Sequence, residues 1–272
     1  MTLINIAKKH LYGTIPYTYL RLFSSDSPKL PYHKFIKENG YTHYPYDFAQ
    51  SYLEKNILVS DDKEKNLKYI IHKKDKKIYF PGSLSNAKIE KIYKSLLIEQ
   101  DLNSAHLYTE SMEEYRGKTL LDIGAAEGII SLEAIEVVKF TYIFECQKDW
   151  VQALQATFEP WKDKVMIIEK FVSDKNSETC VTLDNFMKDK SKENLFLKMD
   201  IEGEERRALQ GAKNLFSTAK NLDFAICLYH RKDDPEVISS ILAGHNCTFS
   251  LRNGYLYTKH KLRKGLVRGY KK

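Results

Sequence analysis

The chain is poor in tryptophan, proline and cysteine, with 2 Trp, 7 Pro and 4 Cys in 272 residues, and it has no long apolar run. The cysteines, Cys146, Cys180, Cys227 and Cys247, lie tens of residues apart and never form a C-x-x-C pair. That spacing excludes the usual structural zinc site. A small disulfide-held secreted domain needs a denser set, so free, buried thiols in a reducing compartment are expected. No segment approaches the roughly 18 apolar residues of a membrane span. The opening MTLINIAKKHLYG lacks the apolar stretch of a secretory signal. The expected location is the cytoplasm.

Acids are missing from one place. Residues 259–272 (KHKLRKGLVRGYKK) hold seven Lys and Arg and no Asp or Glu, which equals the whole formal excess of +7. The rest of the chain is charge-balanced. The basicity therefore reads as a tail property: a solvated end, or a contact for an anionic substrate or a membrane surface. With 43% hydrophobic and 12% aromatic residues, the chain has material for a packed core and is not a disordered polymer.

Residues 1–84 read as an N-terminal extension facing substrate or a partner, rich in tyrosine and largely irregular. Its tyrosines either fill a small core or stack on sugars. Residues 67–72 (LKYIIH) and 77–80 (KIYF) flank a charged break, which predicts a hairpin ended by Pro81-Gly82. Ser85 opens a helix in which Ile89, Ile92, Tyr93, Leu96 and Leu97 share one face.

In residues 85–272 the pattern becomes regular. Strands are expected at 119–123, 140–144, 165–168, 195–199 and 222–228. Helices are expected at 127–137, 148–158, 205–216 and 235–242. Residues 247–251 and 255–258 flank Asn253-Gly254, which predicts a closing hairpin. The fold class is α/β, with a doubly wound parallel sheet and antiparallel strands at one edge. Ligands bind such sheets beyond the carboxyl ends of the strands, so the residues that follow each strand carry the functional reading.

After the first of these strands comes Asp122-Ile123-Gly124-Ala125-Ala126-Glu127-Gly128. Its glycines permit a tight turn and close approach of a ligand. The second strand ends at Glu145-Cys146, 23 residues beyond Asp122. An acid at that distance takes a ribose hydroxyl in nucleotide sites. The spacing alone serves a nicotinamide dinucleotide and S-adenosylmethionine equally, although a dinucleotide loop wants glycine where Ala126 stands. The fourth strand ends at Asp200 in LKMDIEGEE. Asp200 and Glu202 are candidates for the reacting centre, whereas Glu204 and Glu205 suit a helix start. The fifth strand leads into His230, a candidate beside Asp200.

Taken together, DIGAAEG, IFECQ, VTLDNF, LKMDIEGEE followed by ALQGA, and YHRKDD resemble the FkbM family of methyltransferases, as does HLYT at 106–109. The resemblance runs from about residue 105 to the end. It implies a class I methyltransferase fold with a seven-stranded sheet and S-adenosylmethionine as cofactor. It places Asp122, Gly124 and Gly128 at the methionine end, in one loop with Ala125, Ala126 and Glu127; the family usually has Asn where this chain has Ala126. It places Glu145, next to Cys146, at the ribose, and Phe171 and Val172 beside the adenine. Asp200 and Glu202 line the transfer site, with His230 adjacent.

The implied chemistry is O-methylation of a sugar, glycan or other small-molecule hydroxyl. Such a hydroxyl needs a general base, His230 or Asp200, or a divalent cation held by Asp200, Glu202 and His230. Nucleic acid is not the expected partner: the chain has no Asn/Asp-Pro-Pro-aromatic tract and no Pro-Cys nucleophile, though RNA ribose methylation stays open. A NAD-dependent oxidoreductase and a cofactor-binding protein without catalysis are the other readings.

Overall fold

The computed structural model describes residues 3–272. Residues 3–23 and 30–39 are helical where an irregular extension was expected. Helix α1 (Leu3–Lys9) continues through a π-helical turn (His10–Thr14) into α2 (Ile15–Phe23), and α3 (Leu30–Asn39) packs against that turn. Gly13 is the reason the two can approach: a Cβ there would lie 2.5 Å from the Lys37 backbone nitrogen. A short helix α4 (Ala49–Leu53) follows, then strands β1 (Ser60–Asp62), β2 (Leu67–His72) and β3 (Lys76–Pro81). The hairpin read from the sequence is β2–β3, with Ile70 opposite Ile78.

That hairpin is not a free-standing unit. Ile70, Ile78 and Phe80 belong to the same buried cluster as Leu120, Ile130 and Leu154 of the sheet domain. The Tyr79 amide donates to Thr157 Oγ1 at 2.9 Å, and buried His72 bridges Tyr93 and Glu133. Helix α5 (Asn86–Glu99) begins where expected, its first turn capped by the Ser85 side chain accepting from the Lys88 amide.

The sheet domain alternates as the sequence predicts. Its elements are β4 (Thr119–Ile123), α6 (Ile129–Ala134), β5 (Phe140–Phe144), α7 (Lys148–Phe158) and β6 (Val165–Ile168). Then come a small parallel pair, β7 (Phe171–Val172) and β8 (Cys180–Val181), and helix α8 (Leu183–Phe186). The chain continues through β9 (Glu193–Met199), α9 (Glu205–Gln210), α10 (Lys213–Thr218), β10 (Lys220–Cys227) and α11 (Asp234–Gly244). It ends with β11 (Thr248–Leu251), β12 (Leu256–Thr258), β13 (Lys261–Arg263) and β14 (Leu266–Lys271). The single helix expected over 205–216 is two helices, because the chain turns at Gly211, where a Cβ would overlap the Ser173 carbonyl oxygen.

Seven strands form one sheet in the order β11-β14-β10-β9-β4-β5-β6. β4, β5, β6, β9 and β10 are parallel, and β14 runs antiparallel to both its neighbours. The helices divide the core into two clusters, one around Leu120, Ile130 and Leu154, the other around Leu121, Leu197 and Phe216. Strands buried on both faces explain the continuous apolar runs LLDI and LFLKM.

Two expectations fail at the C-terminal end. β11 and β12 do not form the Asn253-Gly254 hairpin: β11 pairs with β14, and β12 pairs with β13. The linking residues are held instead by the N-terminal segment, since the Tyr255 amide donates to Tyr46 Oη and that hydroxyl donates to the Tyr255 carbonyl. The basic end is no loose tail either. Leu266 and Val267 are fully buried and seat β14 between β10 and β11, a position that basic flanking residues concealed. Among the described residues, no helix is long and apolar enough to cross a membrane. Of the four free thiols only Cys227 is buried; the other three are partly exposed.

Candidate active site

Strands β4, β9 and β10 end side by side, and a cavity of about 320 Å³ lies beyond their carboxyl edge. Its walls include Gly124 to Glu127 of the loop after β4, Lys198 and Asp200 at the end of β9, Tyr229 after β10, and Glu99 of α5. The loop must be left-handed in several places. Gly124 has φ +75°, and a methyl group there would overlap the Asp200 carbonyl oxygen. Gly128 has φ +72° and lies against Leu154 and Phe158. Ala126 has φ +46°, a conformation that glycine and asparagine adopt more readily than alanine.

Glu145 ends β5 and is buried. Its Oε2 accepts the Ala126 amide at 3.0 Å, and its Oε1 accepts the Cys146 and Gln147 amides at 2.8 Å each. A carboxylate has about four acceptor positions, so one remains for a ligand hydroxyl rather than the pair expected from the sequence. Glu145 thus ties the β4 loop to the end of β5. The Cys146 thiol is pushed up to about 11, chiefly by burial and then by the Glu145 charge, so it is not a thiolate at neutral pH. Phe171 is exposed and Val172 is buried in the core beside Val181, and neither lines the cavity.

Asp122 does not point freely into the loop. Its carboxylate is fully buried, accepts from Ser131 Oγ at 2.6 Å and lies 2.9 Å from Lys198 Nζ. Lys198 also donates to the Gly124 carbonyl at 2.5 Å. Burial alone would lower this ammonium, but the charges of Asp122 and Asp200 outweigh it and raise it, so Lys198 stays protonated.

Asp200 is the centre of the site. Tyr108 Oη donates to Oδ2 at 3.0 Å, and Tyr229 Oη lies 3.1 Å from both oxygens. His106 Nε2 stands 3.5 Å from Oδ2, and His230 Nε2 3.4 Å from Oδ1. Burial would push the carboxyl up, but His106, Lys198 and His230 hold it well below the usual range, so it remains ionised. Both imidazoles are raised. Burial works against this, but Glu99 and Asp200 outweigh it at His106, and Glu205 and Asp200 outweigh it at His230. Glu127, at the other wall, is pushed up to about 7, first by burial and then by Glu99 and Glu145.

Asp200 and His230 are therefore brought together as the sequence suggests, and Glu202 lines the same cavity as Asp200 from an exposed position. The Glu202 side chain is 94% exposed, with one oxygen 3.6 Å from His230 Nε2. Its place in the buried set is taken by Glu205, whose side chain is fully buried and lies 2.9 Å from His230 Nδ1. Glu205 also accepts the Ile201 amide, which closes the turn after β9. A cation set would thus be Asp200, Glu205 and His230, whose donor atoms lie within 4.8 Å of one another, rather than the trio with Glu202. Two carboxylates and an imidazole suit a divalent ion, and the Lys198 ammonium competes with such an ion for the charge of Asp200. Sequence reasoning missed Tyr108, Tyr229, Lys198 and Glu99. Only Lys198 carried a signal, as a lone base in an otherwise apolar strand.

A parallel sheet with a reversed strand β14 beside β10, a left-handed glycine loop after β4 and a buried acid ending β5 define a class I methyltransferase fold. The family profile described as Methyltransferase FkbM domain matches residues 94–251. The chain belongs to the FkbM methyltransferase family. Among solved structures it is similar to the methyltransferase FkbM of Methylobacillus flagellatus KT, at 20% identity and a TM-score of 0.49, over 64% of this chain and 48% of that one. The chain thus spans about half the length of that protein. It is also similar to the fibrillarin pre-rRNA processing protein of Methanococcus jannaschii, at 11% identity and a TM-score of 0.42, over 79% of this chain and 97% of that one. A third similarity is to precorrin-6y C5,15-methyltransferase of Geobacter metallireducens GS-15, at 10% identity and a TM-score of 0.39, over 58% of this chain and 83% of that one. Among curated protein sequences, none matches the chain.

Proposed function

We propose that the protein is an S-adenosylmethionine-dependent O-methyltransferase acting on a hydroxyl of a sugar, glycan or other small molecule. The observation that carries this reading is the placement of Asp200: an ionised carboxylate on the cavity wall, in direct contact with the Gly124 turn. The residues fit the cofactor. Glu145 keeps one acceptor position for a ribose hydroxyl, and the Gly124 to Glu127 turn leaves no side chain larger than a methyl before Glu127. When bound, S-adenosylmethionine supplies a methyl group on a positively charged sulfur.

The remaining work belongs to this chain. Asp200, fixed by two tyrosine hydroxyls, accepts a hydrogen bond from the acceptor hydroxyl and orients its oxygen. In its neutral form His230, with Nε2 3.4 Å from Oδ1, takes the proton that Asp200 relays from the hydroxyl, and Glu205 beside its other nitrogen stabilises the resulting imidazolium. The N-terminal segment closes the acceptor side through Tyr44, whose hydroxyl bonds Glu99. Tyr12, Tyr32, Tyr46 and Tyr52 fill small cores with Tyr257 and Leu256.

The test is methyl transfer from labelled S-adenosylmethionine to a panel of sugar and glycan acceptors. The expected result is a product whose formation falls about 10²- to 10⁴-fold in Asp200→Asn, the range of general acid–base groups, with cofactor affinity kept. His230→Ala is expected to lose turnover with cofactor affinity intact. Unchanged turnover in His230→Ala removes His230 from the mechanism, and unchanged turnover in Asp200→Asn removes the account.

A further inference from the structure

The N-terminal helical run has an outer face that nothing among the described residues covers. Over residues 3–23, Tyr12, Gly13 and Tyr17 turn inward or sideways: Gly13 meets α3, the Tyr12 ring stacks on His260 at 4.9 Å, and Tyr17 lies under the Lys37 ammonium. The other side is apolar and open. Ile4 is 67% exposed, Leu11 53%, Ile15 51%, Tyr19 60%, Leu22 69% and Phe23 71%. From Leu11 onward the spacing is four, four and three residues, which aligns them in one stripe along the helix. Isolated exposed apolar residues are ordinary, but a continuous row of this length is not.

Charge says what kind of surface would cover it. The first acid in the chain is Asp26, so the helical run carries Lys8, Lys9 and Arg21 with no opposing charge. The β12–β13 hairpin, joined to the run by the Tyr12–His260 stack, carries Lys259, Lys261, Arg263 and Lys264 and likewise has no acid between residues 255 and 264. Two adjoining acid-free, basic segments around an aliphatic and aromatic stripe match the make-up of a helix lying in a lipid interface. Nucleic acid would engage the bases but leave the leucines and isoleucines in water.

We propose that residues 3–23 dock the protein on an anionic lipid surface, apolar stripe inward, with Arg21 and the hairpin's exposed Lys261 at the headgroups. The docking does not depend on the methyl-transfer reading. It has a consequence for the site, because the same hairpin braces it: Lys259 Nζ donates to the His230 carbonyl, and Arg263 donates to the carbonyls of Tyr229 and His230. The docking face and the candidate active site thus share one structural element.

The test is co-sedimentation of the full chain with vesicles of phosphatidylglycerol and phosphatidylcholine in equal amounts, against phosphatidylcholine alone. Binding is expected to the anionic vesicles and not to the neutral ones. The triple variant Leu11→Glu, Ile15→Glu, Leu22→Glu changes only exposed positions. It is expected to lose at least about tenfold in partitioning, because each buried apolar group and each opposed charge counts, while its thermal unfolding and S-adenosylmethionine affinity match the parent. No binding of the parent to anionic vesicles overturns the proposal, and so does equal binding by the triple variant. A parent that is a dimer in sedimentation, turned monomeric by the triple variant and indifferent to vesicles, assigns the stripe to a second copy instead.

Discussion

Two strand ends on the same edge of the sheet hold a carboxylate, buried at Glu145 and partly exposed at Asp200, and they hold it in opposite ways. Glu145, at the end of β5, is satisfied by three backbone amides, all within 19 residues of it in sequence. Asp200, at the end of β9, is surrounded by side chains from distant segments: Tyr108 and His106 before the sheet, Tyr229 and His230 after β10. The first arrangement is a brace, set by local backbone geometry. The second is an electrostatic network whose members set one another's charge. A brace suits a group that binds; a coupled network suits a group that must handle a proton.

The contrast is broken most forcefully at Lys198, the one ammonium in the network. Lys198→Met leaves buried Asp122 and partly exposed Asp200 without it, and breaking a buried pair costs about 3–5 kcal/mol. Urea unfolding at neutral pH should show a loss of that order. A loss well under about 1 kcal/mol, the worth of a surface pair, would mean the network is far more hydrated than its burial indicates.

The next effect concerns pH. His106 and His230 are raised in the folded state, so the stability they contribute is complete below their unfolded value of about 6.5 and is lost as the pH rises through their folded values. Melting temperature should fall over that window. His106→Gln with His230→Gln should flatten the fall, whereas Glu145→Gln should leave its shape unchanged. A profile equally altered by Glu145→Gln would erase the distinction between brace and network.

The smallest effect lies in the brace. Ala126 has φ +46°, and its side chain makes no hydrogen bond. Ala126→Asn should stabilise the protein by about 0.5–1 kcal/mol, since asparagine tolerates the left-handed region that costs other residues about 1–2 kcal/mol. Destabilisation in urea would show that the loop has no room for the longer side chain.

The same contrast explains what could be read from the sequence. The loop at 122–128 and Glu145 were legible because their positions follow from local spacing, and so were the five parallel strands between residues 119 and 228, whereas the short β7, β8 and α8 and the break at Gly211 were not. Glu205 does open a helix as the sequence suggests, but its burial against His230 is a tertiary fact that the sequence does not carry. Tyr108 and Tyr229 gave no sign, since a tyrosine near a strand end looks the same whether it fills a core or holds a carboxylate. The C-terminal strand β14 was hidden by its lysines and arginines. Only two residues, Leu266 and Val267, carry the burial that makes it a strand inside the sheet.

The central claim is that the β4 loop and Glu145 form an S-adenosylmethionine site facing Asp200. Titration calorimetry of the protein with S-adenosylmethionine and, separately, with NADH tests it most directly, with Glu145→Ala alongside. The account expects saturable binding of S-adenosylmethionine, none of NADH, and an affinity at least about tenfold weaker in Glu145→Ala, the worth of one charge-assisted hydrogen bond. No heat with S-adenosylmethionine, or equal affinity in the variant, would contradict it.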